Sequence, residues 1–226
     1  MGIALPQLAP ASEDRASGAQ VIDGSLKFDI GSSTCLSRTP SSSGNQKTWT
    51  WSAWVKRYDA STSNTSLFGA DGGGGSDFVT IRFESNTIRV DCMGDGQGRV
   101  QVTTTPVYRD LSWYHIVVVL DTTQSSAADR CKIYINSVLQ IKSFNLSPNK
   151  NFAVNRAVSH EIGRRPDGDN DPFNGSMSQV YLIDGQALGP ENFGYTDPLT
   201  NTWRPKKFSG NFTAPAVGII YSDYGS

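Results

Sequence analysis

Asp167-Gly168-Asp169-Asn170-Asp171 is the densest run of hard oxygen donors in the chain. Carboxylate and amide oxygens grouped around a glycine suit a hard cation such as calcium, with Asp167, Asp169, Asn170 and Asp171 as the candidate ligands. The same residues are also ordinary turn chemistry, and their spacing does not complete a calcium-loop signature. Two other groupings invite a chemical reading. Asp71-Gly72-Gly73-Gly74-Gly75-Ser76-Asp77 has the glycines of a phosphate cradle, but such cradles open a helix and this run enters the strand-like Phe78–Phe83. It reads instead as a flexible sheet-to-sheet connection. His115 and His160 are the only histidines. Neither stands in a nucleophile or two-histidine metal pattern, and His115, beside Trp113 in an apolar run, reads as a hydrogen-bonded core residue.

Composition narrows the classes further. The chain has 226 residues, 22 glycines, 10% aromatic and 18% charged residues. That is enough for one generous all-β sandwich, and the apolar residues fall into short runs with no sustained helical period. A net charge of −1 offers no basic footprint, which argues against nucleic acid. No stretch approaches the roughly 20 apolar residues of a membrane-spanning helix. Cys35, Cys92 and Cys131 are widely separated, with no pair at metal or redox spacing, and read as small buried hydrophobes in a reducing compartment. Residues 1–10 hold two prolines and no Lys or Arg, unlike a secretory signal, so synthesis in a cytoplasm is expected. The Asn-x-Ser/Thr sequences at Asn64, Asn145, Asn174 and Asn211 are then surface polar loops.

The elements that must position these groups are strands. Trp113–Leu120 is a β-branched and aromatic run, followed by a polar loop over 121–130 and the alternating Lys132-Ile133-Tyr134-Ile135-Asn136. Together they predict a hairpin with a long loop. Further short strands are expected at 25–28, 34–37, 47–57, 78–83 and 86–90, separated by Gly, Pro, Asn and Asp. In Lys47–Arg57, Trp49 and Trp51 share one face while Trp54 takes the other, which implies a bulge or a strand buried on both sides. Exposed tryptophans would offer stacking faces to sugars; the reading adopted is that they fill the core.

The order of a Trp-Tyr-His entry to an apolar strand, an Asp at its exit and an Ile-Tyr-Ile-Asn strand resembles the core hairpin of laminin-G-like domains, in the concanavalin A-like group. Ser159–Arg164 and Phe173–Leu188 resemble that family's later strands in the right order. The resemblance implies an all-β, antiparallel two-sheet jelly-roll sandwich. Ser137 stands where the family usually has glycine, which puts the geometry of that turn in question. Glycosidases of the group carry a strand-borne Glu-x-Asp-x-x-Glu, and none of Glu13, Glu84, Glu161 and Glu191 stands in that pattern. The expectation is a protein without enzymatic activity, and relatives that hold calcium at a sandwich rim give the 167–171 loop its interest.

Residues 1–24 differ from the rest: an extended arm precedes a laminin-G-like domain over 25–226. Ile3, Leu5 and Leu8 in a proline-punctuated segment, with Arg15 in a charged cluster, suggest an arm that docks on another chain. The wording from Ser12 to Phe28 and from Leu36 to Arg57, and the C-terminal Trp203–Phe208 and Ile219–Asp223, resemble virion and tail-fibre proteins of marine bacteriophages. That resemblance implies a virion structural protein at the particle surface, made in the host cytoplasm and homo-oligomeric, with other virion proteins as partners. A host surface glycan is the further partner if the sandwich acts as an adhesin.

Overall fold

The computed structural model describes residues 24–31, 34–140, 145–166 and 171–211. Their backbone forms two six-stranded antiparallel sheets. Sheet A runs in the order β1 (Leu26–Phe28), β12 (Gly175–Asp184), β3 (Thr48–Arg57), β8 (Trp113–Asp121), β9 (Cys131–Ile135) and β10 (Val138–Leu139). Sheet B runs β2 (Leu36–Arg38), β11 (Ser159–Ile162), β4 (Asn64–Asp71), β5 (Phe78–Glu84), β6 (Thr87–Gly94) and β7 (Gln97–Thr103). A separate ribbon pairs β13 (Gly194–Thr196) with β14 (Trp203–Pro205). This is the two-sheet sandwich expected from the sequence. The arm residues Ile3, Leu5, Leu8 and Arg15 lie outside the described residues.

Strand alternation builds the core. Trp49, Trp51, Ala53 and Val55 of β3 join Ile116, Val118 and Leu120 of β8 and Val79, Ile81 and Phe83 of β5 in one buried cluster. The two tryptophans are fully buried and so offer no platform to a sugar. Replacing either with alanine would cost roughly 3–5 kcal/mol. The intervening residues of sheet A are buried as well. Val117, Val119, Tyr181 and Ile183 form a second cluster with Phe193 and Phe208, so β3 and its neighbours are covered on both faces.

Two strands keep the right faces inward only by taking an extra residue. Met177 and Val180 of β12 both enter the main core although three positions apart, and the register slips between Ser178 and Tyr181 at Gln179, whose φ is 49°. In β4, adjacent Leu67 and Phe68 both enter the core at a slip between Ser66 and Phe68. Of the two alternatives for Trp54, β3 takes the second: it is regular and buried on both faces, and the bulge opposite it belongs to β12.

The glycine run departs from its expected role. It does not connect sheets: Asp71 pairs with Phe78, so β4 and β5 form a hairpin within sheet B. Gly72 N donates to Asp77 O at 2.7 Å and Gly73 N to Asp71 Oδ1 at 2.5 Å, which closes the loop on itself. Cys92 and Cys131 are buried, Cys35 half-buried, and all three are free thiols. Burial pushes the Cys131 thiol up to about 12.

Ser85-Asn86, Asp95-Gly96 and Asn136-Ser137 are two-residue hairpin loops with positive φ at both positions, a combination that favours Asn-Gly or Asp-Gly. Ser137 adopts φ 70° without being glycine. A left-handed conformation costs an L-residue about 1–2 kcal/mol, against about 0.4–1 kcal/mol for the extra unfolded-state freedom of glycine. Ser137→Gly is therefore expected to stabilise the protein by roughly 0.5–1 kcal/mol, read as a raised urea midpoint at unchanged m value.

Candidate functional site

The outer face of sheet B is built from charge. On β5 and β6 the core takes Val79, Ile81, Phe83, Ile88, Val90 and Cys92, which leaves Arg82, Glu84, Arg89 and Asp91 on the opposite side. Arg82 and Arg89 are paired directly across the strands, an arrangement that repels unless it is bridged. Asp91 bridges it. Its Oδ1 accepts from Arg89 Nε at 3.0 Å, and its Oδ2 lies 3.2 Å from Arg82 Nη2 and 3.0 Å from Arg99 Nη2. Glu84 completes the lattice, with Oε1 3.7 Å from Arg82 Nη2 and Oε2 bonded to Arg89 Nη1. Both oxygens of each carboxylate are thus committed to guanidinium groups. The alternating Arg82-x-Glu84 and Arg89-x-Asp91 placed these groups on one face, but sequence reading did not single them out.

The segment after β11 crosses this face. A Cβ at Gly69 would stand 3.0 Å from Arg165 Cα and 3.0 Å from Pro166 Cδ, so glycine at this point of β4 lets the chain pass close without displacing it. Ser66 N donates to Asp171 O at 2.7 Å, and the Arg165 guanidinium lies 4.0 Å over the Phe78 ring. Of the candidate calcium ligands, Asp167, Asp169 and Asn170 fall outside the described residues. Asp171 is described, and its Oδ2 faces Arg82 Nη1 at 3.5 Å. A guanidinium at that carboxylate competes with any cation. No group of three or more His, Cys, Asp or Glu placed to hold a metal occurs among the described residues.

Sheet A presents a different surface. His115 is buried on its outer face, stacked on Trp54 at 5.1 Å between ring centroids and on Trp203 at 5.9 Å. Trp203 Nε1 is a donor only, so at 3.0 Å it fixes His115 Nδ1 as acceptor. The ring proton then lies on Nε2, which donates to Ser52 Oγ at 2.9 Å. Burial lowers the His115 pKa to about 3. His160 is likewise neutral: Nε2 accepts from Asn155 N at 3.0 Å and Nδ1 donates to Val158 O at 2.8 Å. Both histidines are structural, and a neutral imidazole enclosed by indoles has no access to a substrate. Asp184, whose carboxyl burial pushes above the usual range, accepts from Asn45 N at 2.8 Å and Asn155 Nδ2 at 3.0 Å. It ties two loops together.

Beyond the edge of the second apolar cluster, sheet A bears an open cavity of about 230 Å³. Asp121 at the end of β8, Lys132 and Tyr134 of β9, Gln124 and Asp129 of the loop between these strands, and Leu188 line it. Lys132 Nζ lies 2.9 Å from Asp129 Oδ1, and Gln124 Nε2 donates to Asp121 Oδ2 at 2.6 Å. Sequence reading assigned Tyr134 only to an alternating strand; the fold places it beside residues more than fifty positions away.

Three outcomes are expected from this geometry. Asp91→Ala strands Arg82 and Arg89, both nearly buried, and should cost about 3–5 kcal/mol. Arg99→Ala removes a partner 42% exposed and should cost about 1 kcal/mol or less, both read from denaturant melts. For pH, the folded pKa of His115 is depressed, so the unfolded state binds the extra proton. Its contribution is complete above about 6.5, the unfolded value, and is lost as pH falls toward about 3. His115→Gln should therefore flatten the fall in Tm between pH 7 and 4, leaving the shares due to His160 and to depressed carboxylates such as Asp121.

A sequence model of the concanavalin A-like lectin/glucanases superfamily matches residues 31–192, well over half of the chain. No curated protein matches the sequence. Among solved structures, domains LG4-5 of the mouse laminin α1 chain align with a TM-score of 0.54 and 11% identity, over 80% of this chain and 50% of that one. The enzymatically active domain of tailspike protein 2 of bacteriophage CBA120 aligns with a TM-score of 0.54 and 13% identity, over 80% and 29%. Domain 4 of an extracellular arabinanase from Geobacillus stearothermophilus, in complex with arabinotriose, gives 0.51 and 19%, over 68% and 66%. At these identities the likeness is one of fold. By its sandwich topology and the match over residues 31–192, the chain belongs to the concanavalin A-like lectin/glucanases superfamily.

Proposed function

We propose that this protein is a non-catalytic, lectin-like module displayed on the surface of a bacteriophage virion, as a capsid decoration or short fibre docked through its N-terminal arm. The observation that carries the non-catalytic part is the state of the carboxylates on sheet B. Glycoside hydrolysis needs one carboxyl group free to deliver a proton and a second free to attack or to activate water. Glu84 and Asp91 have every oxygen engaged by Arg82, Arg89 or Arg99, so neither presents a free edge. No carboxylate of this lattice is therefore available for hydrolysis. The virion part is supported by the resemblance of the terminal segments to phage proteins and by the tailspike fold.

A second reading, a tail adhesin for a host glycan, is favoured by the arabinotriose-bound arabinanase domain among the structural neighbours. Calcium enters this reading through Asp167, Asp169, Asn170 and Asp171. An ion held there would raise Tm on addition of calcium and lose the gain with chelator, whereas an unchanged Tm would remove it from the mechanism.

Location on the particle separates the two readings. Immunogold labelling of intact phage with an antibody to the sandwich is expected to decorate particles. Label over the head supports decoration, label at the tail supports the adhesin, and unlabelled particles would overturn both. Deletion of residues 1–24 should abolish incorporation while leaving the thermal melt of the sandwich intact; normal incorporation of the deleted protein would refute docking by the arm.

A further inference from the structure

We propose that the cavity beside Tyr134, on the outer face of sheet A, binds one uncharged sugar ring of a surface polysaccharide. The inference rests on the lectin-like reading above and gives it a place. Tyr134 is half-buried: it packs against the outer apolar cluster of Val117, Val119 and Tyr181 and also lines the cavity. Its ring supplies an apolar face, while its hydroxyl has no hydrogen-bond partner among the described residues. A pyranose or furanose asks for that pairing, because each ring has a C–H face and a rim of hydroxyls.

The rim of the cavity supplies the rest. Lys132 has three donor protons and spends its one observed contact on Asp129, which leaves donors for sugar oxygens. Asp129, which also accepts from the Ser126 side chain, keeps lone pairs with which to accept from a sugar hydroxyl. Asp121 is less available. It already receives Thr48 Oγ1 at 3.2 Å, Thr123 Oγ1 at 2.6 Å and Gln124 Nε2 at 2.6 Å, and it serves to hold Gln124 in place. The lining carries two carboxylates against one ammonium, a balance that repels uronates and sialylated glycans and accepts a neutral ring. The volume of about 230 Å³ is below the ~300–1,000 Å³ of drug-sized ligand sites. It therefore suits one ring, with the rest of a polymer leaving through the open side.

Both walls are fixed before any ligand arrives. Arg130, itself buried, donates Nε to Gln124 O at 2.8 Å, Nη2 to Ser125 O at 2.6 Å and Nη1 to Leu146 O at 2.6 Å, which holds the loop that carries Gln124 and Asp129. On the far side Thr50 Oγ1 donates to Gln186 O at 2.8 Å and accepts from Leu188 N at 2.8 Å. A polar cavity with rigid walls loses little ordering entropy on binding.

The test begins with the full chain on an array of neutral polysaccharides (glucans, galactans, mannans, arabinans) and uronate-containing ones. An oligosaccharide of the strongest neutral hit is then titrated by NMR. The expected result is binding to neutral glycans, with amide shifts concentrated at residues 119–134 and 187–189. Tyr134→Ala should weaken binding about tenfold, and Lys132→Ala should weaken it measurably. Lys132 is partly exposed, so its variant keeps the test valid if Tyr134→Ala fails to fold. Binding with shifts elsewhere, or with both folded variants unaffected, overturns this site and leaves the lectin reading standing. Preference for uronates overturns the neutral class, and a wild-type chain that binds no glycan overturns the lectin reading and the site together.

Discussion

The central strands of sheet A are buried on both faces, and that constraint organises the molecule. β3 reads Thr-Trp-Thr-Trp-Ser-Ala-Trp-Val, so the alternation that sends Trp49 and Trp51 into the sandwich sends Trp54 out the other side. Val117, Val119, Tyr181 and Ile183 leave by the same side. An exposed apolar sheet face of this kind is a site of aggregation or association unless something covers it. Here the chain beyond β12 does so with Phe193, Trp203 and Phe208. The family match ends at residue 192, so most of this cover lies beyond the part shared with the superfamily model. The Trp203 indole finds its acceptor in His115, and the cost of a neutral, desolvated imidazole is the acid sensitivity of the contact.

Sheet B solves the same geometric problem with the opposite chemistry. Its outer face is buried over β5 and β6 and opens at β7, and its side chains there are guanidinium and carboxylate groups joined in one lattice. The bridging role of Asp91 makes it the residue on which the face depends. Gly69 leaves room for Arg165 and Pro166 to pass over this face, and Asp171 is tied to β4 by the Ser66–Asp171 hydrogen bond. With both faces committed to structure, the accessible chemistry moves to the margins, where the cavity beside Tyr134 opens at the edge of the apolar cover.

How much of this was legible can be traced to particular residues. The strands from Lys47 to Arg57 and from Trp113 to Asn136 are visible because a period of two survives in a single sequence. The bulges at Gln179 and beside Leu67 are not, since an extra residue only looks like a break in the pattern. Of the positive-φ hairpins, Asp95-Gly96 carries the expected turn residues. Ser85-Asn86 and Asn136-Ser137 adopt the same geometry without glycine, because strand pairing on either side imposes it. The glycine run looked like a linker between sheets, and only the Asp71–Phe78 pairing shows a hairpin.

The candidate site shows the same division. The sequence by itself pointed to a β-sandwich and a structural role for His115 through alternation and residue type, while the resemblance to laminin-G-like domains put the β3 tryptophans in the core. Tertiary structure alone decided that Trp203 would reach across 88 positions to His115 and that Asp91 would gather three arginines. It also decided that Tyr134 would share a cavity with Leu188. The reason is physical. Alternation is fixed by the backbone geometry of one strand, whereas a site depends on which distant strands are neighbours, and that is set by how the two faces of each sheet are covered.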